Sequence, residues 1–77
     1  MSTESIRVLL AQAFPDAVEI GVEDRTGGGD HFQVTVTSPS FDGLPLIEQH
    51  RLVNAALAAR LADGTIHELR IRTKGTG

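Results

Sequence analysis

The sequence predicts an α+β domain of order α-β-β-α-β, with a three-stranded mixed sheet and both helices on one face. Three observations carry this. Apolar residues recur at helical spacing near the N-terminus and again between residues 44 and 62, two alternating runs flank a glycine-rich loop, and a third apolar run follows an Asp-Gly stop. At 77 residues the chain reads as one domain, 1–77. A domain of that size has little interior for a deep enclosed site, so its function is expected at the surface and with partners.

Ser2 or Thr3 caps the first helix, with Glu4 in the first turn, where the helix dipole favours negative charge. Ile6, Leu9, Leu10 and Ala13 form its buried stripe, and Pro15-Asp16 ends it. Val18, Ile20 and Val22 then alternate with Glu19, Gly21 and Glu23, giving a strand with one buried face. Asp24 to Asp30 contains Gly27-Gly28-Gly29 and reads as a flexible turn. From His31 to Ser38 the alternation resumes, with Phe32, Val34 and Val36 on one face and His31, Gln33, Thr35 and Thr37 on the other, so the two strands form an antiparallel hairpin.

Pro39-Ser40 breaks the second strand and Phe41-Asp42-Gly43 turns the chain. Leu44 to Ala62 reads as helix, with a break allowed after Pro45; its inner stripe is Leu46 or Ile47, then His50, Val53, Leu57 and Leu61. Asp63-Gly64 stops it, Ile66 to Thr73 forms the third strand, and Lys74 to Gly77 is expected to fray. A strand-helix-strand crossover makes the second and third strands parallel.

Composition removes several functions. No cysteine is present, which excludes disulfides, thiolate catalysis and any iron–sulfur or zinc site held by the chain's own sulfur. A net charge of -3 weighs against tight nucleic-acid binding. Against that balance, Arg70, Arg72 and Lys74 alternate along the last strand and share a face. They read equally as an attraction for an anionic partner surface and as solvated charge protecting an edge strand. Apolar runs fall short of the roughly 20 residues of a membrane-spanning helix. Met1-Ser2-Thr3-Glu4 lacks the basic and apolar regions of a signal peptide, so a cytoplasmic location is expected. The glycine loop lacks the Lys-Ser/Thr ending of a phosphate-binding loop, and no serine, histidine and carboxylate form a catalytic pattern. The chain is therefore not expected to be an enzyme.

The remaining chemistry lies in three histidines, since imidazole is a common metal ligand. His67 stands at a helix-to-strand junction. It reads either as a metal ligand or as a histidine hydrogen-bonded at a strand start, and its parity with Leu69 and Ile71 favours the buried, structural reading. His31 faces away from Phe32 and is expected in solvent, as a polar strand residue or a ligand. His50 falls on the inner stripe of the long helix and reads as a packing residue.

Four segments together resemble the BolA family: His31-Phe32-Gln33-Val34, Ser38 to Phe41 with Asp42-Gly43, His50-Arg51-Leu52-Val53-Asn54, and Ile66-His67-Glu68-Leu69-Arg70-Ile71. They stand in the family's order and cover the chain from about Ile6 to Thr73. The resemblance implies a fold similar to class II KH domains and a partner, a monothiol glutaredoxin of the CGFS type. It implies a [2Fe–2S] cluster shared with that glutaredoxin and with glutathione, and a role in iron homeostasis or cluster delivery. The family's cluster-binding histidine corresponds to His67. A second ligand, Cys or His in many members, comes from the hairpin loop at a position near Gly28. Here that loop offers only glycine and aspartate, so His31, three residues on, becomes the second candidate, with Asp30 as an oxygen alternative. Some members are linked to transcription, and the KH-like topology with the Arg70, Arg72 and Lys74 stripe gives a nucleic-acid-binding transcriptional regulator as the alternative reading; the chain has no GXXG loop between two helices of the kind KH domains use.

Overall fold

The structure, a computed structural model, describes residues 2–77. Helix α1 spans Thr3–Ala13, strand β1 Glu19–Asp24, strand β2 His31–Thr37, helix α2 Leu46–Ala56, helix α3 Ala58–Ala62 and strand β3 Glu68–Lys74, with a short 3-10 turn at Pro39–Phe41. The sheet order is β1-β2-β3. Strands β1 and β2 pair antiparallel, with Val22 opposite Val34; β2 and β3 pair parallel, with His31 opposite Glu68 and Val34 opposite Ile71. The expected α+β architecture and mixed sheet are those observed.

Local chemistry explains the boundaries. Ser2 is the N-cap of α1, its hydroxyl accepting the Ser5 N–H at 3.1 Å. Gly64 adopts φ 79° just after α3, the left-handed conformation that glycine takes without a Cβ penalty. Asp63 accepts the Thr65 N–H at 2.8 Å. Hydrogen bonds from the Thr65 side chain and backbone hold the Asp63 carboxyl below its ordinary value.

The core joins the helices to one sheet face. Ile6, Leu10 and Phe14 from the first helical segment, Val53 and Leu57 from the second, and Phe41 and Ile66 from connecting segments close over Phe32, Val34 and Val36 of β2. Phe14 and Phe41 meet at a centroid distance of 5.2 Å in a tilted arrangement. Such a ring pair adds about 0.5–1.5 kcal/mol beyond area burial. Beneath them Ser38 is buried and donates its hydroxyl to Asp16 at 3.1 Å, so its polar atom is satisfied.

Five expectations need correction. The long second helix is two helices: Pro45 caps α2, and the chain breaks at Leu57, whose N–H is shared between the carbonyls of Val53 and Asn54 at 3.3 and 3.2 Å. The break leaves Leu57 buried while Leu61 still packs against the core. Leu46 and Ile47 are not inner-stripe residues; they lie exposed in the first turn of α2, so the buried stripe starts further on. Ala13 is exposed at the end of α1. Val18 precedes β1, the edge strand, and is 70% exposed. The C-terminus does not fray: β3 runs to Lys74, and the Asp42 carboxylate accepts the Thr76 N–H at 2.7 Å and the Gly77 N–H at 3.1 Å.

Candidate metal centre

The glycine loop is more ordered than its composition predicts. The Asp24 carboxylate accepts the N–H groups of Thr26 at 3.3 Å, Gly27 at 2.9 Å and Gly29 at 3.0 Å. One side chain thus gathers three backbone donors, the Asx arrangement that aspartate supports at turns. Gly27 and Gly29 take φ 77° and 76°, which a β-carbon would disfavour. At the loop's far end the Asp30 carbonyl accepts the N–H of His67 at 2.8 Å and of Glu68 at 3.3 Å. The Arg25 N–H donates to the His31 carbonyl at 2.9 Å. Backbone hydrogen bonds therefore fix Asp30, His31 and His67 relative to one another.

The three side chains converge. One ligand atom from each of Asp30, His31 and His67 lies within 4.8 Å of the other two. Asp30 Oδ2 stands 3.2 Å from His67 Nδ1 and 3.9 Å from His31 Nε2. The two imidazole rings meet edge to face with centroids 6.3 Å apart. On the other side of His31, Glu68 Oε2 lies 3.4 Å from Nδ1. A carboxylate on one ring nitrogen turns the other nitrogen outward as a ligand, a common supporting arrangement at metal sites.

His67 is not buried, contrary to its parity with Leu69 and Ile71. Its side chain is 63% exposed. The β2–β3 ladder begins at the His31–Glu68 pair, so His67 sits beyond the end of the ladder, and Leu69 and Ile71 are themselves only partly buried. His31 is half-buried, with its strand neighbours Gln33 and Thr35 on the sheet face opposite the buried Phe32 and Val34, as its alternation predicts. Sequence reasoning thus named both histidines and Asp30, and the fold brings them together. His50 stands apart on α2, where its carbonyl accepts the Asn54 side-chain amide at 3.0 Å.

Two supporting residues were missed. Asp24-Arg25-Thr26-Gly27 carried a readable turn signal, an aspartate ahead of a glycine run. Glu68 carried none, because its contact with His31 needs the parallel register. The basic row also appears: Arg70, Arg72 and Lys74 are all exposed, with Arg70 held to Glu68 at 3.1 Å. Glu19 and Glu23 share that face across the sheet, which makes it basic along one edge and acidic along the other.

Chemically the cluster suits a transition metal of intermediate softness, through two imidazoles and a carboxylate. Metal–nitrogen bonds of about 2.1 Å at tetrahedral angles put neighbouring ligand atoms about 3.4 Å apart. The present ligand atoms, within 4.8 Å of one another, would draw together to reach that spacing, and the His67 ring is exposed to solvent. The same imidazole pair is an acceptable terminal ligand set for one iron of a [2Fe–2S] centre.

Comparison with known proteins gives a consistent result. Residues 11–77 match the family described as BolA-like protein. An uncharacterized protein, RP812, of Rickettsia prowazekii is 34% identical over 73 residues, 95% of this chain and 92% of the relative. BolA-like protein 1 of Pongo abelii is 40% identical over 76 residues, 91% of this chain; the match spans only 55% of that relative's length. Among solved structures, BolA1 from Arabidopsis thaliana superimposes with a TM-score of 0.86 at 31% identity, covering 96% of this chain and 90% of the other. The BolA domain of SufE1 from the same plant matches equally, at 0.86 and 32%, covering 96% and 91%. Among the described residues no helix is long and apolar enough to cross a membrane.

Proposed function

The chain belongs to the BolA family, and from that premise we propose that it is a non-enzymatic adaptor that docks a monothiol CGFS glutaredoxin and shares that protein's [2Fe–2S] cluster, in iron homeostasis or cluster delivery. The observation that carries this reading is the exposure of His67 beside His31 at the end of the parallel ladder. An imidazole there is reachable from outside the fold, which a shared cluster requires. His67 serves as the first ligand and His31 as the second, in place of the loop residue near Gly28.

His67 and His31 would hold the cluster from this side, with glutaredoxin and glutathione sulfur as its other ligands, and the cluster would supply redox-active iron. This chain's own residues do the positioning. Asp30 holds the His67 ring at 3.2 Å, Glu68 turns His31, and the Asp24 clasp holds the loop that carries Asp30. Imidazole in place of thiolate raises the potential of such centres.

The test is to titrate the protein into holo-glutaredoxin and follow visible absorption and circular dichroism. A new spectrum with wild-type protein, lost in His67→Ala and weakened in His31→Ala, is expected. Identical spectra with and without the chain would refute cluster sharing. Docking that survives His67→Ala with no spectral change for any variant would reduce the chain to a protein-binding module.

A second reading, a nucleic-acid-binding regulator, draws support from the exposed Arg70, Arg72 and Lys74. The acidic row on the same face and the net charge of -3 oppose it. Binding of DNA or RNA at low salt that falls steeply with added salt would favour it, and no binding at low salt would remove it.

A further inference from the structure

We propose that the isolated chain binds a single divalent transition-metal ion on a two-histidine, one-carboxylate face made by Asp30, His31 and His67. The surface is the one assigned above to the shared cluster. The inference needs neither cluster nor partner protein, so each stands or falls without the other.

Asp30 sets the chemistry of this face. Its Oδ2 lies between the two rings, 3.2 Å from His67 Nδ1 and 3.9 Å from His31 Nε2. A carboxylate in that place neutralises part of an incoming cation's charge and adds a third donor to the imidazole pair. Glu68 adds a second carboxylate outside the ligand set, 3.4 Å from His31 Nδ1, and so favours the tautomer with Nε2 free to bind. The guanidinium of Arg70 is engaged by Glu68 through its Nε at 3.1 Å, and that of Arg25 by the Gln33 side chain at 3.1 Å.

The site is built before metal arrives. All three ligands sit on backbone held by the Asp30 carbonyl bonds to the His67 and Glu68 N–H groups and by the Arg25–His31 bond. A backbone already held in place limits the entropy cost of binding. Two imidazoles with one carboxylate suit Fe²⁺, Co²⁺, Ni²⁺ or Zn²⁺; Mg²⁺ and Ca²⁺ prefer all-oxygen shells, and Cu⁺ prefers sulfur. Three protein ligands leave coordination positions open, and the 63% exposure of His67 turns them toward solvent.

The experiment uses the chain alone. Cobalt(II) chloride is titrated in and its visible d–d bands recorded, with displacement by zinc followed by calorimetry and folding checked by amide NMR. One saturating equivalent of cobalt, displaced by zinc and unaffected by a large excess of magnesium, is expected. Asp30→Asn and His67→Gln should each weaken binding at least about tenfold, and Glu68→Gln about tenfold, the range seen on removing an orienting partner of a ligand. Absence of saturable one-to-one binding would overturn the inference, as would competition by magnesium. Wild-type affinity in a folded Asp30→Asn variant would also overturn it, by reducing the site to a histidine pair.

Discussion

Removing the Asp24 carboxylate should loosen the loop that carries the metal-binding side chains. In the folded chain this carboxylate accepts three backbone N–H groups, those of Thr26, Gly27 and Gly29. A typical protein hydrogen bond contributes about 1 kcal/mol net, or about 3 kcal/mol for three such bonds. Thr26 and Gly27 are exposed, so their freed N–H groups regain water and the expected loss is about 1–2 kcal/mol. Asp24→Asn separates the contributions. Its remaining carbonyl oxygen can keep the bonds that Oδ1 makes to Thr26 and Gly27, while the amide nitrogen in place of Oδ2 cannot accept from Gly29. About half the loss is therefore expected. Urea denaturation gives the totals, and amide hydrogen exchange gives the local effect. Gly27 should exchange faster in Asp24→Ala but stay near wild type in Asp24→Asn, while Gly29 should speed up in both. Unchanged exchange at Gly27 and Gly29 in a folded Asp24→Ala protein would refute the clasp and the positioning role given to it.

Three further outcomes follow from the same structure. His67→Ala should change stability by no more than about 0.5 kcal/mol, because the side chain is largely exposed; a larger loss in denaturant unfolding would mean that the ring is structural. Phe32→Ala, at a fully buried position of the central strand β2, should cost about 3–5 kcal/mol in denaturant unfolding; a loss under 1 kcal/mol would contradict the core assignment. Backbone hydrogen bonds from Gly77 and then Thr76 hold the Asp42 carboxyl below its ordinary value. A depressed folded pKa contributes stability that is present above the unfolded value and lost as pH falls through the folded one. Amide protection at Thr76 and Gly77 should therefore be full at neutral pH, disappear only below the ordinary carboxylate range, and be absent at all pH values in Asp42→Ala.

The sequence alone determined the layout, because hydrophobic period is a local property. Alternation at Phe32, Val34 and Val36, the stop at Asp63-Gly64 and the crossover between β2 and β3 specified strands, order and pairing direction. It also named His67, His31 and Asp30, by residue type and by family resemblance. Period failed where a residue lay beyond the cover of its element: Val18 at the sheet edge, Leu46 and Ile47 in a first turn, and His67 past the end of the ladder, all exposed despite their pattern. The break at Leu57 left no mark, since no proline or glycine causes it. Convergence of the three ligands, the support of His31 by Glu68 and the anchoring of the tail on Asp42 each join residues distant in sequence. They depend on register and on chain path, which only the packed sheet and helices decide.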